Sequence, residues 1–350
     1  MPMSALKSVA RWLRKVRAAE TGDAYDRRLQ QELANYSACV DVNALPEIFH
    51  YWSDTYIRPM IEEVGASNPD QFFARFLMQS AQNGNSGAAA QFVSIGAGNC
   101  DTEVRVAKLL REQGLQDFVI HCLDINPAML ARGMALAEAE GVAAHIRPLH
   151  GDFNHWRPGR TFDGVMANQS LHHVVELEDL FASVHDCLAD GALFVVSDII
   201  GRNGHARWPE ALRAVQSFWT ELPDAYRYNQ ALKRHEPQYI NWDCSHEGFE
   251  GIRAQDIVPA LLQRLHFHCF IGFGNVIDVF VDRNFGHNFN ADAEWDRAFV
   301  DRLHAYDEAG LAEGRLTPTH MLAVLATEPA QRRFCSRGIT PEASVHPSLR

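Results

Sequence analysis

Four stretches of the chain carry residues whose types and spacing could do chemistry. In VSIGAGNCDTE (93–103) strand-like residues run into Gly96, Ala97 and Gly98, and a helix-compatible run follows with Asp101 and Glu103 in its first turn. VIHCLDIN (119–126) ends a strand-like run in Asp124 and Ile125, and LHGDFN (149–154) does the same with Asp152 and Phe153. FDGVMANQSLHHV (162–174) sets Asn168, Gln169 and the pair His172-His173 behind a fourth run. A glycine turn lets a ligand approach the backbone closely. A dinucleotide would require Gly-x-Gly-x-x-Gly with its pyrophosphate on the helix N-terminus, but the third glycine position is Asp101. Two carboxylates suit a helix start and repel a pyrophosphate, and no Gly-Lys-Ser/Thr is present to hold a phosphate. Asp124 is placed to accept from both hydroxyls of a ribose, and Asp152 with Phe153 suits the amino group and ring of an adenine. Together the four stretches fit a nucleoside with a cationic or amino tail and no phosphate.

These residues need a frame that brings strand ends to one edge. Strands are expected at 92–96, 118–124, 144–149, 162–167 and 192–199, with helices at about 101–113, 127–141 and 176–188 between them. Such alternation predicts right-handed crossovers and a doubly wound, mostly parallel sheet. Residues 1–82 read as a helical N-terminal cap, ending in the small-residue linker QNGNSGAAAQ (82–91). After the core (90–201), an aromatic-rich insertion (202–252) breaks the periodicity. A second α/β part (253–327) follows, with a helix near 253–265, a strand near 267–273, a helix near 294–309 and a last strand THMLAVLA (319–326). The polar tail, 328–350, is expected to be poorly ordered.

Composition narrows the partners. A formal net charge of −12 over 350 residues argues against a nucleic-acid partner. No apolar run approaches the roughly 20 residues that span a bilayer, and basic residues interrupt the first 19, unlike a secretory leader. Seven scattered cysteines without Cys-x-x-Cys spacing suit a reducing cytoplasm and no disulfide framework or zinc motif. HFHC (266–269) reads as a strand, so no metal ligand is expected there or elsewhere. Within 3–19, Leu6, Val9, Leu13 and Val16 form an apolar stripe beside Lys7, Arg11, Arg14, Lys15 and Arg17. That segment suits weak contact with an anionic membrane surface, or packing on the protein's own acidic body. Nothing in the sequence sets the oligomeric state.

In order and spacing, VSIGAGNC, LDIN, GDF and FDGVMANQSLHHV resemble the class I S-adenosylmethionine-dependent methyltransferases of small-molecule type. The resemblance covers about 90–200 and extends over 253–327, where it implies a seven-stranded Rossmann-like sheet with an antiparallel last strand. It implies S-adenosyl-L-methionine as cofactor, held by Gly96, Ala97, Gly98, Asp124, Ile125, Asp152, Phe153, Asn168 and Gln169. The chain departs from the family's pattern at Ser94, often an acid, and at Cys100, often a glycine. Glu103 or Tyr51 is then the candidate partner of the methionine ammonium.

Methyl transfer from a sulfonium is an in-line displacement that depends on alignment, and a base adds about 10²–10⁴-fold when the acceptor is protonated. His172 and His173 follow the fourth strand, and Asp198 at the end of the fifth could orient one of them, so His172, His173 and Asp198 are the catalytic candidates. NQSL (168–171) lacks the Asn/Asp-Pro-Pro-aromatic of enzymes that methylate nucleic-acid and protein nitrogens. With the acidic charge, this favours O-methylation of a small molecule such as a sugar, a glycolipid precursor or another secondary metabolite. The insertion is the expected acceptor wall, with a polar cluster of Asp243, His246, Glu247, Glu250 and Arg253. A catalytically silent cofactor-binding regulatory domain is the alternative, and a nicotinamide-dependent oxidoreductase is disfavoured by Asp101.

Overall fold

The computed structural model describes residues 22–37, 45–84, 89–246 and 248–350. The basic stripe of 3–19, the middle of the linker and Glu247 lie outside the described residues.

The alternating pattern folds as one sheet. Its strands are β1 (Ala90–Ile95), β2 (Phe118–Asp124), β3 (Ile146–His150), β4 (Phe162–Asn168) and β5 (Leu188–Ile199), and later β8 (His266–Phe273), β9 (His320–Ala326) and β10 (Phe334–Cys335). The two-residue strands β6 (Tyr228–Asn229) and β7 (Arg234–His235) form a separate hairpin. The sheet order is β10-β8-β9-β5-β4-β1-β2-β3. β1 to β5 pair in parallel, and β9 runs antiparallel between β5 and β8. The α/β class and the antiparallel last long strand are as expected, but the sheet has eight strands and not seven. The extra strand, β10, comes from the tail that was expected to be poorly ordered and pairs with β8. Ser336 donates to Glu63 at 2.9 Å, and His346 stacks on Trp208 with centroids 3.8 Å apart. A two-residue edge strand has no hydrophobic period, so composition alone concealed it.

The N-terminal helices are α1 (Gly22–Ser37), α2 (Glu47–Trp52), α3 (Arg58–Glu62) and α4 (Pro69–Asn83). α5 (Asp101–Glu112), α6 (Pro127–Ala139) and α7 (Leu177–Cys187) are the crossover helices. The second half adds α8 (Pro209–Glu221), α9 (Ile257–Leu262), α10 (Asp278–Val281) and α11 (Glu294–Ala312), and α12 (Pro341–Ser344) closes the tail. Alternate strand residues feed two cores, as a pleated sheet requires. Phe92 packs with Phe72, Leu77 and Val104 on one face, and Val93 and Ile95 join Leu180 and Val184 on the other.

Part of the aromatic insertion packs inward. Trp219 is buried with its ring near Tyr239, Phe280 and Phe285, and Tyr226 packs near Phe289 and Trp295. Trp219, Phe280 and Phe285 are core and Tyr226 and Tyr239 pack against it, because large apolar surface is removed from water wherever a second layer can cover it. Among the described residues of the segment, Phe249 and Glu250 at its end reach the cavity described below.

The strand order reverses at β1, with β2 and β3 on one side and β4 and β5 on the other. Ligands of open parallel sheets bind at that reversal, outside the carboxyl ends of the strands. There the chain is packed too closely for side chains. Gly96 has φ +70°, and a Cβ on it would stand 2.5 Å from Ser170 Cβ. Gly133 of α6 lies against the glycine turn, and a Cβ there would meet Cys100 Sγ at 2.6 Å and Asn99 O at 2.8 Å. Ala in a helix interior is favoured over Gly by about 1 kcal/mol, yet overpacking costs about 1–3 kcal/mol. Gly133→Ala is therefore expected to lower stability in urea unfolding, and a rise in stability would show that the turn yields.

Candidate active site

A cavity of about 600 Å³ opens at the reversal. One half is built by the glycine turn and the end of β2. Gly96 N and Ala97 N donate to Leu123 O at 2.9 and 3.0 Å, which ties the turn to β2. Asp124 accepts from Gly98 N and Asn126 N, both at 2.8 Å. Asn126 caps α6 by accepting from Ala128 N at 3.1 Å, with Pro127 as the first helical residue. This cap ends the turn after β2 and holds Asp124 at the cavity wall. Burial pushes the Asp124 carboxyl up, against the two backbone N–H groups that pull it down.

Gly96, Ala97, Gly98, Glu103, Asp124, Ile125, Phe153, Asn168, Gln169, His172 and His173 all line this one cavity. Asp152 does not share it. Its carboxylate accepts from Tyr25 Oη at 2.6 Å and from Asn154 N at 2.9 Å, and it pairs with His155 at 2.9 Å. Burial acts against ionisation of Asp152, but these partners outweigh it and hold its carboxyl below the usual range. Tyr51 is elsewhere too, donating to Asp301 at 2.9 Å. Of the two candidates for an ammonium partner, Glu103 is the one inside. Its Oε1 accepts from Ser94 Oγ at 2.6 Å, while its buried Oε2 has no hydrogen-bond partner among the described residues. Burial raises the Glu103 carboxyl to about 7. A cationic amino group beside Oε2 would satisfy the orphan oxygen and restore the charge, so the site fits the tail that the sequence implied.

The other half comes from the loop after β4. Asp198, fully buried, accepts from Ser170 N at 2.9 Å, Leu171 N at 2.7 Å and Ile199 N at 2.8 Å. Its Oδ1 also lies 2.7 Å from His172 Nδ1. Asp198 thus stands behind the loop and positions His172 without lining the cavity. Gln169 in this loop has φ +51°, and Cys100 in the glycine turn has φ +57°. Such strain persists where the surroundings over-determine the backbone, as at functional sites.

Three residues outside the catalytic candidates complete this wall. Glu250 presents Oε1 at 3.4 Å from His172 Nε2 and Oε2 at 3.4 Å from His173 Nε2. His205 Nε2 reaches Glu250 Oε1 at 2.5 Å. Glu32 of α1 lies 2.8 Å from His173 Nδ1. Burial favours a neutral His172, but Asp198 and Glu250 outweigh it and hold the ring up at about 10. Burial likewise opposes the Glu250 charge, while His173, His172 and His205 keep its carboxyl well below the usual range. The only sequence signal for Glu250 was the polar density of 243–253, and α1 carried no signal for Glu32.

α1 is tied across this half. Arg28 donates to Ser245 O at 2.8 Å and Gly248 O at 2.5 Å, and the Tyr25 ring lies 5.3 Å from that of Phe249. Glu32, Leu33, Phe249 and Arg283 are therefore cavity-lining residues brought from distant parts of the chain.

Comparison with known proteins agrees with this frame. Residues 93–194 match the family model described as a methyltransferase domain. No curated protein matches the chain. Among solved structures, a geranyl diphosphate C-methyltransferase from Streptomyces coelicolor A3(2), in complex with Mg2+, geranyl diphosphate and S-adenosyl-L-homocysteine, is similar at 13% identity. That match covers 86% of this chain and 98% of the other, with a TM-score of 0.44. The [4+2]-cyclase SpnF is similar at 13% identity over 80% of this chain and 95% of its own, TM-score 0.39. The DhpI complex with SAH is similar at 18% identity over 49% and 69%, TM-score 0.31. At these identities and scores the likeness says nothing of the acceptor.

The state of Glu103 yields a pH test. Below about pH 7 its carboxyl is protonated in the free protein, so binding a ligand ammonium requires loss of that proton. Each unit below the pKa weakens such binding about tenfold. The affinity for S-adenosylhomocysteine is expected to rise about tenfold from pH 6 to pH 8 in calorimetric titration, and the slope should vanish in Glu103→Gln. A wild-type affinity flat across this range would place the ammonium elsewhere.

Proposed function

We propose that this chain, whose residues 93–194 match a methyltransferase domain, uses S-adenosylmethionine to methylate a hydroxyl of a small polyhydroxylated acceptor. A sugar, a glycolipid precursor or a related secondary metabolite fits this reading. The observation that carries it is the wall of His172, His173 and Glu250, which shares one cavity with Glu103, Asp124 and the glycine turn.

In this reading Asp124 accepts from the ribose hydroxyls, Glu103 pairs with the methionine ammonium, and Phe153 packs against the adenine. Gly96, Ala97 and Gly98 allow close approach of the backbone, and Ile125, Asn168 and Gln169 complete the contacts. Bound S-adenosylmethionine supplies a sulfonium methyl, an electrophile with a good leaving group. The chain's own part is alignment, for which well-oriented reactions gain about 7–11 kcal/mol. The imidazole–carboxylate wall orients the acceptor hydroxyl, and its proton leaves along that wall to solvent. Asp198 acts through His172, as a positioning residue.

A panel of hydroxylated, amino and carbon acceptors, assayed for S-adenosylhomocysteine release, tests this directly. Oxygen acceptors are expected to turn over. Transfer to amines or carbon alone would overturn the O-methylation reading, and binding without any turnover would favour a silent regulatory domain. His172→Ala and His173→Ala are each expected to lower kcat by about 10²–10⁴ with unchanged affinity for S-adenosylhomocysteine. Loss in neither would assign catalysis to alignment alone. Asp124→Asn should weaken cofactor binding at least tenfold, since each charge-assisted hydrogen bond contributes about 1.5–3 kcal/mol.

A further inference from the structure

We infer that His172, His173 and Glu250 bind a divalent first-row transition-metal cation at the acceptor end of the cavity. The three residues offer ligand atoms that all lie within 4.8 Å of one another, and all three line the cavity. Each imidazole Nε2 stands 3.4 Å from one Glu250 oxygen. That separation is longer than an ordinary N–H···O bond of about 2.7–3.2 Å. It matches the edge of a coordination shell, because two ligands each about 2.1 Å from a tetrahedral ion lie about 3.4 Å apart.

The residues behind the three point the same way. Metal-ligating histidines commonly give their other ring nitrogen to a carboxylate, which fixes the ring and raises its basicity. Here His172 Nδ1 is hydrogen-bonded to Asp198 at 2.7 Å, which turns its Nε2 toward Glu250. His173 Nδ1 stands beside the Glu32 carboxylate at 2.8 Å, and its Nε2 also faces Glu250. That carboxylate is held in turn by its loop, where Gly204 N donates to Gly251 O at 2.8 Å, and by His205 at 2.5 Å. Rigid support of this kind is what a metal site requires for affinity and geometry.

Two imidazoles and one carboxylate favour manganese, iron, cobalt or zinc over magnesium and calcium, which prefer oxygen ligands throughout. Three protein ligands leave coordination positions for a hydroxyl of the acceptor. The scale of the effect is large, since a zinc ion can lower the pKa of bound water from about 15.7 to about 7. This role rests on the O-methylation reading, whereas the binding site itself does not. In the transfer the hydroxyl loses its proton to solvent, its oxygen forms the new bond to the methyl carbon, and the carbon–sulfur bond breaks with its electron pair passing to sulfur.

The full chain, stripped with chelator, is titrated with Zn2+ by calorimetry and with Mn2+ by electron paramagnetic resonance. One cation per chain is expected. Glu250→Gln and His173→Asn should weaken binding at least tenfold, and Asp198→Asn about 10–100-fold. His185→Ala, where an exposed histidine pairs with Asp186, should leave it unchanged. Affinity for S-adenosylhomocysteine, measured on each variant, reports whether the fold is kept. Failure of the wild-type chain to bind at one per chain overturns the site, as does equal binding in Glu250→Gln and His173→Asn. Full turnover by the stripped chain overturns the catalytic role. One cation per chain with no oxygen acceptor methylated would keep the site and discard the O-methylation reading.

Discussion

Asp198 is the interaction on which the active half of the molecule depends. Its buried carboxylate gathers backbone N–H groups from Ser170, Leu171 and Ile199 and the Nδ1 of His172. A buried charge is tolerated only when it is multiply hydrogen-bonded, and here the partners are the loop after β4 itself. The charge therefore dictates the loop's path, and the path dictates where both histidines stand. Ser170 adds a second constraint by donating to Ile95 O at 2.6 Å, which draws the loop onto the end of β1.

The same closeness explains the glycines. At the point of strand reversal two loops and a helix converge, and Gly96 and Gly133 are the positions where a Cβ would collide. The third glycine of a dinucleotide turn is missing from this chain, but its packing function is supplied by Gly133 from the facing helix. Cys100 can then occupy the turn in a left-handed conformation. Close packing has been kept while the residue that provides it has moved to another element.

The cavity sets buried carboxylates to different uses. Glu103 is desolvated with one oxygen unpartnered, and its carboxyl is raised to about 7. Glu250 is held far on the charged side by imidazoles. The first arrangement waits for a cation from the ligand, whereas the second is already surrounded by imidazoles. Burial is common to both, so the difference comes from the neighbours that each backbone position supplies.

The sequence by itself determined the order of strands and crossover helices, and the residues that end β1, β2 and β4. Strand and helix periods, glycine turns and caps such as Asn126 are local, so their signal is written within a few residues. Gly96, Asp124 and the two histidines follow directly from that local reading. Only the tertiary structure decided that Asp152 turns to Tyr25 and His155, that Trp219 of the insertion is core, and that the tail adds β10. It also decided that Glu32 and Glu250, 218 positions apart in the chain, meet the histidine pair. Such contacts depend on how α1 and the loop after α8 pack over the strand ends, and no period in the sequence encodes packing between elements so far apart.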